Sequence, residues 1–405
     1  MMVLRSIAKS LTLIAVFAAV AAPGSLQAQT FNLDKKKQEL SGGPQPKSTL
    51  PSTAHLPKFD VIVPVFDPNI PKKDKDDVWL EVRRVEANRF AVLTKRALQA
   101  TGAFGAVRVT PDDSGFGELY VHGTILKANT EDVKVKIEVN DIRGRSTRRE
   151  WLSKTFSYRV PAQFHQSVRK QGGDAYAPLF DAIAAEIVKK LARKKAKKVK
   201  DLKAITEMRF ANMFGPEYFG QYLKSCKRKC KLKSLPATND PLYQKIQTMR
   251  IREQLFVDGF QQPYDGFYAD ADSAYLDWQK YGYPIAVERR KERARGATRL
   301  LLGAAAVAGA IATDNPNVAV VGGVAGVVLF ADAINKYRSA GASGETLDQM
   351  GQSVNLDLSP QVVQFENVST QLQGDAVDQF ITYRGHLQKI YEKEQTPTTD
   401  LLALE

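Results

Sequence analysis

ELYVHGTILKANTEDVKVKIEVN, residues 118–140, is the stretch on which the fold turns. Leu119, Val121 and Gly123 alternate with Tyr120 and His122, and Val133, Val135, Ile137 and Val139 alternate with Lys134, Lys136 and Glu138. Successive side chains of a strand point to opposite faces. The pattern therefore predicts two strands, Glu118–Ala128 and Val133–Asn140, in an antiparallel sheet with one wet face. Working outward, Ala106–Thr110 and Glu150–Tyr158 read as flanking strands, with DIRGR at 141–145 as a turn. FDVIVPVF at 59–66 is a further strand, in which Pro64 suggests an edge position or a bulge.

Two helices complete this region. From Asp77 to Thr101 the residues Val78, Val82, Val85, Phe90, Leu93 and Leu98 recur at three- and four-residue steps, and Gly102 stops the helix. From Pro178 to about Lys200, Leu179, Phe180, Ile183, Ile187 and Leu191 share a face. The order β-α-β-β-β-β-α makes residues 58–200 an α+β domain. Residues 201–299 carry dense aromatics at mostly helical spacing, interrupted by Gly-Pro and Pro-Tyr pairs, and read as a helical domain with an aromatic core. Residues 335–405 form a tail with a helix near Ala376–Glu394.

The amino terminus has the three parts of a signal peptide: Arg5 and Lys9, an apolar run from Leu11 to Ala22, and small residues before a cut after Ala28. The run is shorter than the ~20 residues that span a bilayer. Residues 29–57, with Ser41-Gly42-Gly43-Pro44, read as a flexible linker. Export places the protein in the periplasm and makes oxidation of Cys226 and Cys230, the two cysteines of the chain, the expected outcome; their spacing suits a turn better than a helix.

The formal net charge of +14 is concentrated. Lys189–Lys233 holds 16 Lys and Arg against 3 Asp and Glu, so one segment is basic and the rest of the mature chain is nearly neutral. Lys194, Lys195, Lys197 and Lys198 close a predicted helix, and Lys227, Arg228, Lys229 and Lys231 crowd the cysteines. Such density calls for an anionic partner or full solvation. Outside the cytoplasm nucleic acid is scarce, so the expected partner is anionic lipid, lipopolysaccharide or an acidic protein.

Residues 300–334 are apolar and rich in small residues. Leu300–Ala312 and Val318–Phe330 flank Thr313–Asn317, a turn containing Pro316. Gly322 and Gly326 make a GxxxG step, and Gly303 and Gly309 offer close approach on the other arm. This predicts a helical hairpin, lying in a membrane interface or joining copies of the chain, preceded by a basic flank from Arg289 to Arg299.

Catalytic motifs are not found. The chain has no P-loop, no H-E-x-x-H and no G-x-S-x-G. Gly341–Gly344 reads as a loop and Ser114-Gly115-Phe116-Gly117 as a turn between strands. Asp265, Asp270 and Asp272 lack the rest of a calcium loop and read as helix-capping residues. Neither an enzyme activity nor a cofactor is expected; the alternative is a hydrolase of an envelope polymer, which would carry paired carboxylates in a deep cleft.

Four features of residues 59–195 resemble the TolB amino-terminal type of domain: the FDVIVPVF strand, the helix end at Ala100-Thr101-Gly102-Ala103-Phe104, the ELYVHGTI strand, and the Pro178-Leu179-Phe180 helix start. Similar modules occur in the curli secretion-channel subunit and in outer-membrane activators of peptidoglycan synthases. The resemblance implies a periplasmic α+β binding module with no catalytic residues. Taken together, the expectation is a membrane-associated assembly or scaffold protein of the bacterial envelope, binding a protein partner and an anionic surface.

Overall fold

The computed structural model describes residues 50–71, 79–144, 151–167, 173–226, 230–310, 342–353, 355–356, 361–365 and 368–393. The proposed signal peptide and most of the linker lie outside these residues, as do the turn Thr313–Asn317 and the second apolar arm.

The fold is mixed α+β. The first region runs β1 (Val61–Pro64), α1 (Leu80–Ala100), β2 (Val107–Thr110), β3 (Leu119–Ala128), β4 (Asp132–Asp141), β5 (Leu152–Arg159), α2 (Ala162–Ser167) and α3 (Ala177–Ala192). The five strands form one sheet in the order β2-β1-β3-β4-β5. β3, β4 and β5 are the antiparallel meander that the alternation predicts, with Val121 opposite Val139 and Val135 opposite Phe156. The whole sheet is mixed, because β1 pairs in parallel with both β2 and β3.

That pairing corrects the expectation for Pro64. β1 is a central strand, and Pro64 is its last residue rather than a mark of an edge or a bulge. At the strand end the missing N–H interrupts little, and Val65 N–H resumes bonding with the Thr110 carbonyl at 2.9 Å. The β2 edge is closed by a side chain. Val109 N–H donates to Gln261 Oε1 and Gln261 Nε2 donates to the Val109 carbonyl, both at 2.9 Å, so one carboxamide does the work of a neighbouring strand.

One face of the sheet is covered by α1 and α3, with Phe90 set among Phe66, Tyr176 and Phe180. Gly123 stands where a Cβ would lie 2.2 Å from the Phe66 ring, so the gap in the apolar row of β3 makes room for that ring. α1 ends where expected: Gly102 adopts φ +66° and its N–H bonds to the Gln99 carbonyl.

The remaining elements are α4 (Ala196–Phe214), α5 (Pro216–Phe219), a 3-10 turn at Gly220–Tyr222, the hairpin β6 (Leu223–Lys224) and β7 (Lys231–Leu232), α6 (Pro241–Gly259), α7 (Gln261–Ala310), α8 (Ala342–Met350), the hairpin β8 (Gln361–Phe365) and β9 (Val368–Leu372), and α9 (Ala376–Lys393). Three expectations change here. The helix expected over 178–200 is two helices, broken at Arg193–Lys195. Between Leu191 and Val199 the sequence offers only alanine and cations, so one full turn has nothing to bury. The Pro-Tyr and Pro284 positions do not interrupt the aromatic region: Pro263 lies in the first turn of α7, where proline is tolerated, and Pro284 lies inside it. Ala342, Ser343 and Gly344, expected in a loop, open α8.

α7 is 50 residues long, about 75 Å at 1.5 Å per residue. Its backbone is helical as far as Ala310, so Gly303 and Gly309 continue the helix that begins at Gln261. Gly322 and Gly326 lie outside the described residues, and the antiparallel meeting of the two arms lies there with them. Among the described residues no helix is long and apolar enough to cross a membrane.

Most aromatic residues of 201–299 pack into the core, as their spacing implies, while Tyr281 is exposed. Phe210, Phe219, Phe260, Tyr264 and Tyr275 are fully buried and belong to the same apolar cluster as the sheet. α7 runs along α1, which is consequently buried on both sides: its apolar stripe faces the sheet and its polar stripe faces α7.

Candidate functional site

The basic segment is organised around the end of β4. Asp141 accepts from Arg143 Nε at 2.8 Å and from Trp151 Nε1 at 3.0 Å. Burial pushes the Asp141 carboxyl up, but these bonds and the Arg143 charge outweigh it and hold the group below the usual carboxylate range. The Arg143 carbonyl accepts from Cys230 N–H at 3.2 Å, and Arg209 of α4 donates from Nη1 to the Ile142 carbonyl. Lys194 lies over the Trp151 ring at 4.2 Å. The turn after β4, the break between α3 and α4, and the β6–β7 hairpin therefore meet at one place.

The basic residues singled out from the sequence divide into groups here. Lys194 is half-buried against Trp151, and burial lowers its pKa against the opposing pull of Asp141. Lys195, Lys197, Lys198 and Lys231 are exposed, and none forms an ion pair with another described residue. Lys227, Arg228 and Lys229 lie outside the described residues. Cys226 and Cys230 are joined by a disulfide, on the connection between β6 and β7, which is the turn that their spacing suits. The bridge closes a five-residue loop whose three central residues are all cationic.

Beside this face a cleft of about 360 Å³ opens on the sheet's second face. That face, expected to be wet throughout, is roofed at one end. Phe116 packs edge-on against Phe210 of α4 at 5.3 Å, and Arg384 of α9 stacks on Phe116 at 5.2 Å. Tyr120 and Asn140 form the floor as cross-strand partners. Tyr120 donates its hydroxyl to the Gly115 carbonyl at 2.8 Å; burial pushes its pKa up to about 12, opposed by a bond from Gly117 N–H and the charges of Arg209, Arg250 and Arg384. The turn Ser114–Gly117 thus walls the cleft, a role that its glycines did not announce.

The cleft cations differ in their state. Arg384 is committed to Glu253, with two bonds at 2.7 and 3.1 Å, and to the Ser114 carbonyl. Arg209 has no carboxylate partner among the described residues beyond its bond to Ile142. Asn140 is only 9% exposed, and its carboxamide makes no hydrogen bond with a described residue. Sequence reasoning missed both, because Asn140 reads as the end of a strand and Arg209 as one charge among sixteen.

Asp265 and Asp272, expected to cap a helix, lie inside α7 instead. Asp272 bonds Arg89 Nη2 at 2.8 Å, and Asp265 bonds Lys95 and Arg96 of α1 at 2.8 and 3.1 Å. They are the acidic side of the α1–α7 contact. Among the described residues no cluster of three or more His, Cys, Asp or Glu side chains is placed to hold a metal ion. No protein-family model, curated protein or solved structure matches the chain.

Proposed function

We propose that the protein is a scaffold of the bacterial cell envelope, exported to the periplasm and held on an anionic surface while its α+β domain binds a protein partner. The observation that carries this reading is the group Lys195, Lys197, Lys198 and Lys231. All four are exposed and without an ion pair among the described residues, and Lys231 directly follows the Cys226–Cys230 disulfide. Charges that serve only the fold tend to be paired, as they are across the α1–α7 contact; here density is left for something outside. Phosphate-rich surfaces, of anionic lipid or lipopolysaccharide, match it. The resemblance of residues 59–195 to the TolB amino-terminal type supports a binding rather than a catalytic role.

The alternative of a hydrolase finds weaker support. The cleft is lined by two carboxylates, Asp113 and Asp141. Asp141 is occupied by Arg143 and Trp151 and kept ionised, which leaves it poorly suited to donate a proton or to attack a substrate.

The test is sedimentation with vesicles containing phosphatidylglycerol. Each lysine near an anionic surface contributes about 1 kcal/mol, so reversing Lys195, Lys197 and Lys198 to Glu should weaken binding by roughly 100-fold or more. Salt should mimic the effect, because exposed charges are screened. Lys194 is omitted from the reversal since Trp151 holds it. Binding that ignores both salt and the reversal would count against the reading.

A further inference from the structure

We propose that the cleft on the second face of the sheet is a binding site for a sugar-sized molecule carrying one phosphate or carboxylate group, with Arg209 and Asn140 as its anion-recognising pair. Asn140 lies at the end of β4 and Ile142 opens the turn that follows it, so the bond to the Ile142 carbonyl holds Arg209 two residues from Asn140 along the chain. Arg209 is bonded to the Ile142 carbonyl by Nη1 alone, which leaves Nε and Nη2 as donors. Asn140 is 9% exposed as a residue, lines the cleft, and makes no side-chain hydrogen bond with a described residue. A guanidinium lacking a carboxylate beside an amide lacking a hydrogen bond is a donor set for an oxyanion.

The rest of the cleft sets the size and character of the ligand. A volume of about 360 Å³ far exceeds a bare oxyanion and lies in the range of small-molecule sites. Phe116, Met213 and the Tyr120 ring provide apolar walls, and Arg209 and Asn140 supply the polar groups. A polyhydroxylated ring needs both, since its hydroxyls donate and accept while its C–H face packs on apolar surface.

The site is separate from the exposed lysines, and the inference does not depend on their binding a membrane. Calorimetric titration of the full mature protein tests it with four probes: glucose 1-phosphate, glucuronate, inorganic phosphate and glucose. Glucose 1-phosphate and glucuronate should bind one per chain, inorganic phosphate more weakly and glucose undetectably. Arg209→Gln and Asn140→Ala should each weaken glucose 1-phosphate binding by about tenfold or more. Asn140→Ala removes a group that bonds to no described residue, so it keeps the test open if Arg209→Gln fails to fold. Reversing Lys195, Lys197 and Lys198 to Glu should leave this binding in place while abolishing vesicle binding. The proposal is overturned if neither anionic sugar binds at millimolar concentration, or if Asn140→Ala binds as wild type. It is also overturned if inorganic phosphate binds as tightly as glucose 1-phosphate, or if the lysine reversal removes sugar binding too.

Discussion

Glu86 and Arg89 occupy the buried seam between α1 and α7, one turn apart, and carry opposite consequences. Burial pushes the Glu86 carboxyl up to about 7, against Arg83 at 3.2 Å and a hydrogen bond from Tyr275 at 3.0 Å, with Asp174 adding to the rise. The folded state therefore binds this proton more tightly than the unfolded chain, whose carboxyl titrates near 4.5. Stability from this group is fully present below pH 4.5 and falls as pH rises towards 7, by on the order of 3 kcal/mol. The melting temperature should thus decline between pH 5 and pH 8, and Glu86→Gln should flatten that decline; an unchanged slope would remove Glu86 as its cause. Arg89 is fully buried, bonds Asp174 and Asp272 at 3.0 and 2.8 Å, and lies over Tyr268 and Tyr275. Arg89→Met would strand Asp174 in the interior, at a cost of about 3–5 kcal/mol measurable by urea unfolding. None of this was legible in the sequence. Arg89, Asp174 and Asp272 are separated by many tens of residues, and Asp272 taken with its neighbours suggests only a cap.

At the scale of elements the strands were readable, because period-two alternation leaves its mark wherever one face is apolar. The residues from 118 to 140 predicted β3 and β4 to within a residue or so, and the helix near Ala376–Glu394 is α9, Ala376–Lys393. The parallel placement of β1 was not readable, since four consecutive buried residues carry no alternation. The division of the second long helix at Arg193–Lys195 was marked by the run of alanine and cations between Leu191 and Val199, but that Lys194 there folds onto Trp151 is tertiary information. The β2 edge rests on one side chain from outside the α+β region, Gln261. Gln261→Ala should free both backbone groups of Val109, speed hydrogen exchange at that amide and cost about 1–2 kcal/mol. If exchange at Val109 stays protected in the variant, another group closes that edge.

Over the whole molecule the composition is uneven in a way that the fold preserves. Of the cations in Lys189–Lys233, whose net charge is +13, Lys194 and Arg209 lie where the turn after β4, the α3–α4 break and the disulfide hairpin meet, while elsewhere Arg108 pairs with Asp258 and Arg290 with Glu131. The sequence located this charge correctly along the chain, but it gave no sign that Lys194 would be turned inward or that a cleft with Arg209 and Asn140 would open beside it. Envelope fractionation with a salt wash bears most directly on the proposed function. The mature protein should appear in the membrane fraction at low salt and be released by about 1 M salt, where the Debye length is ~3 Å. Recovery from the cytosol, or retention on membranes at that salt, would contradict an exported scaffold held by its exposed lysines.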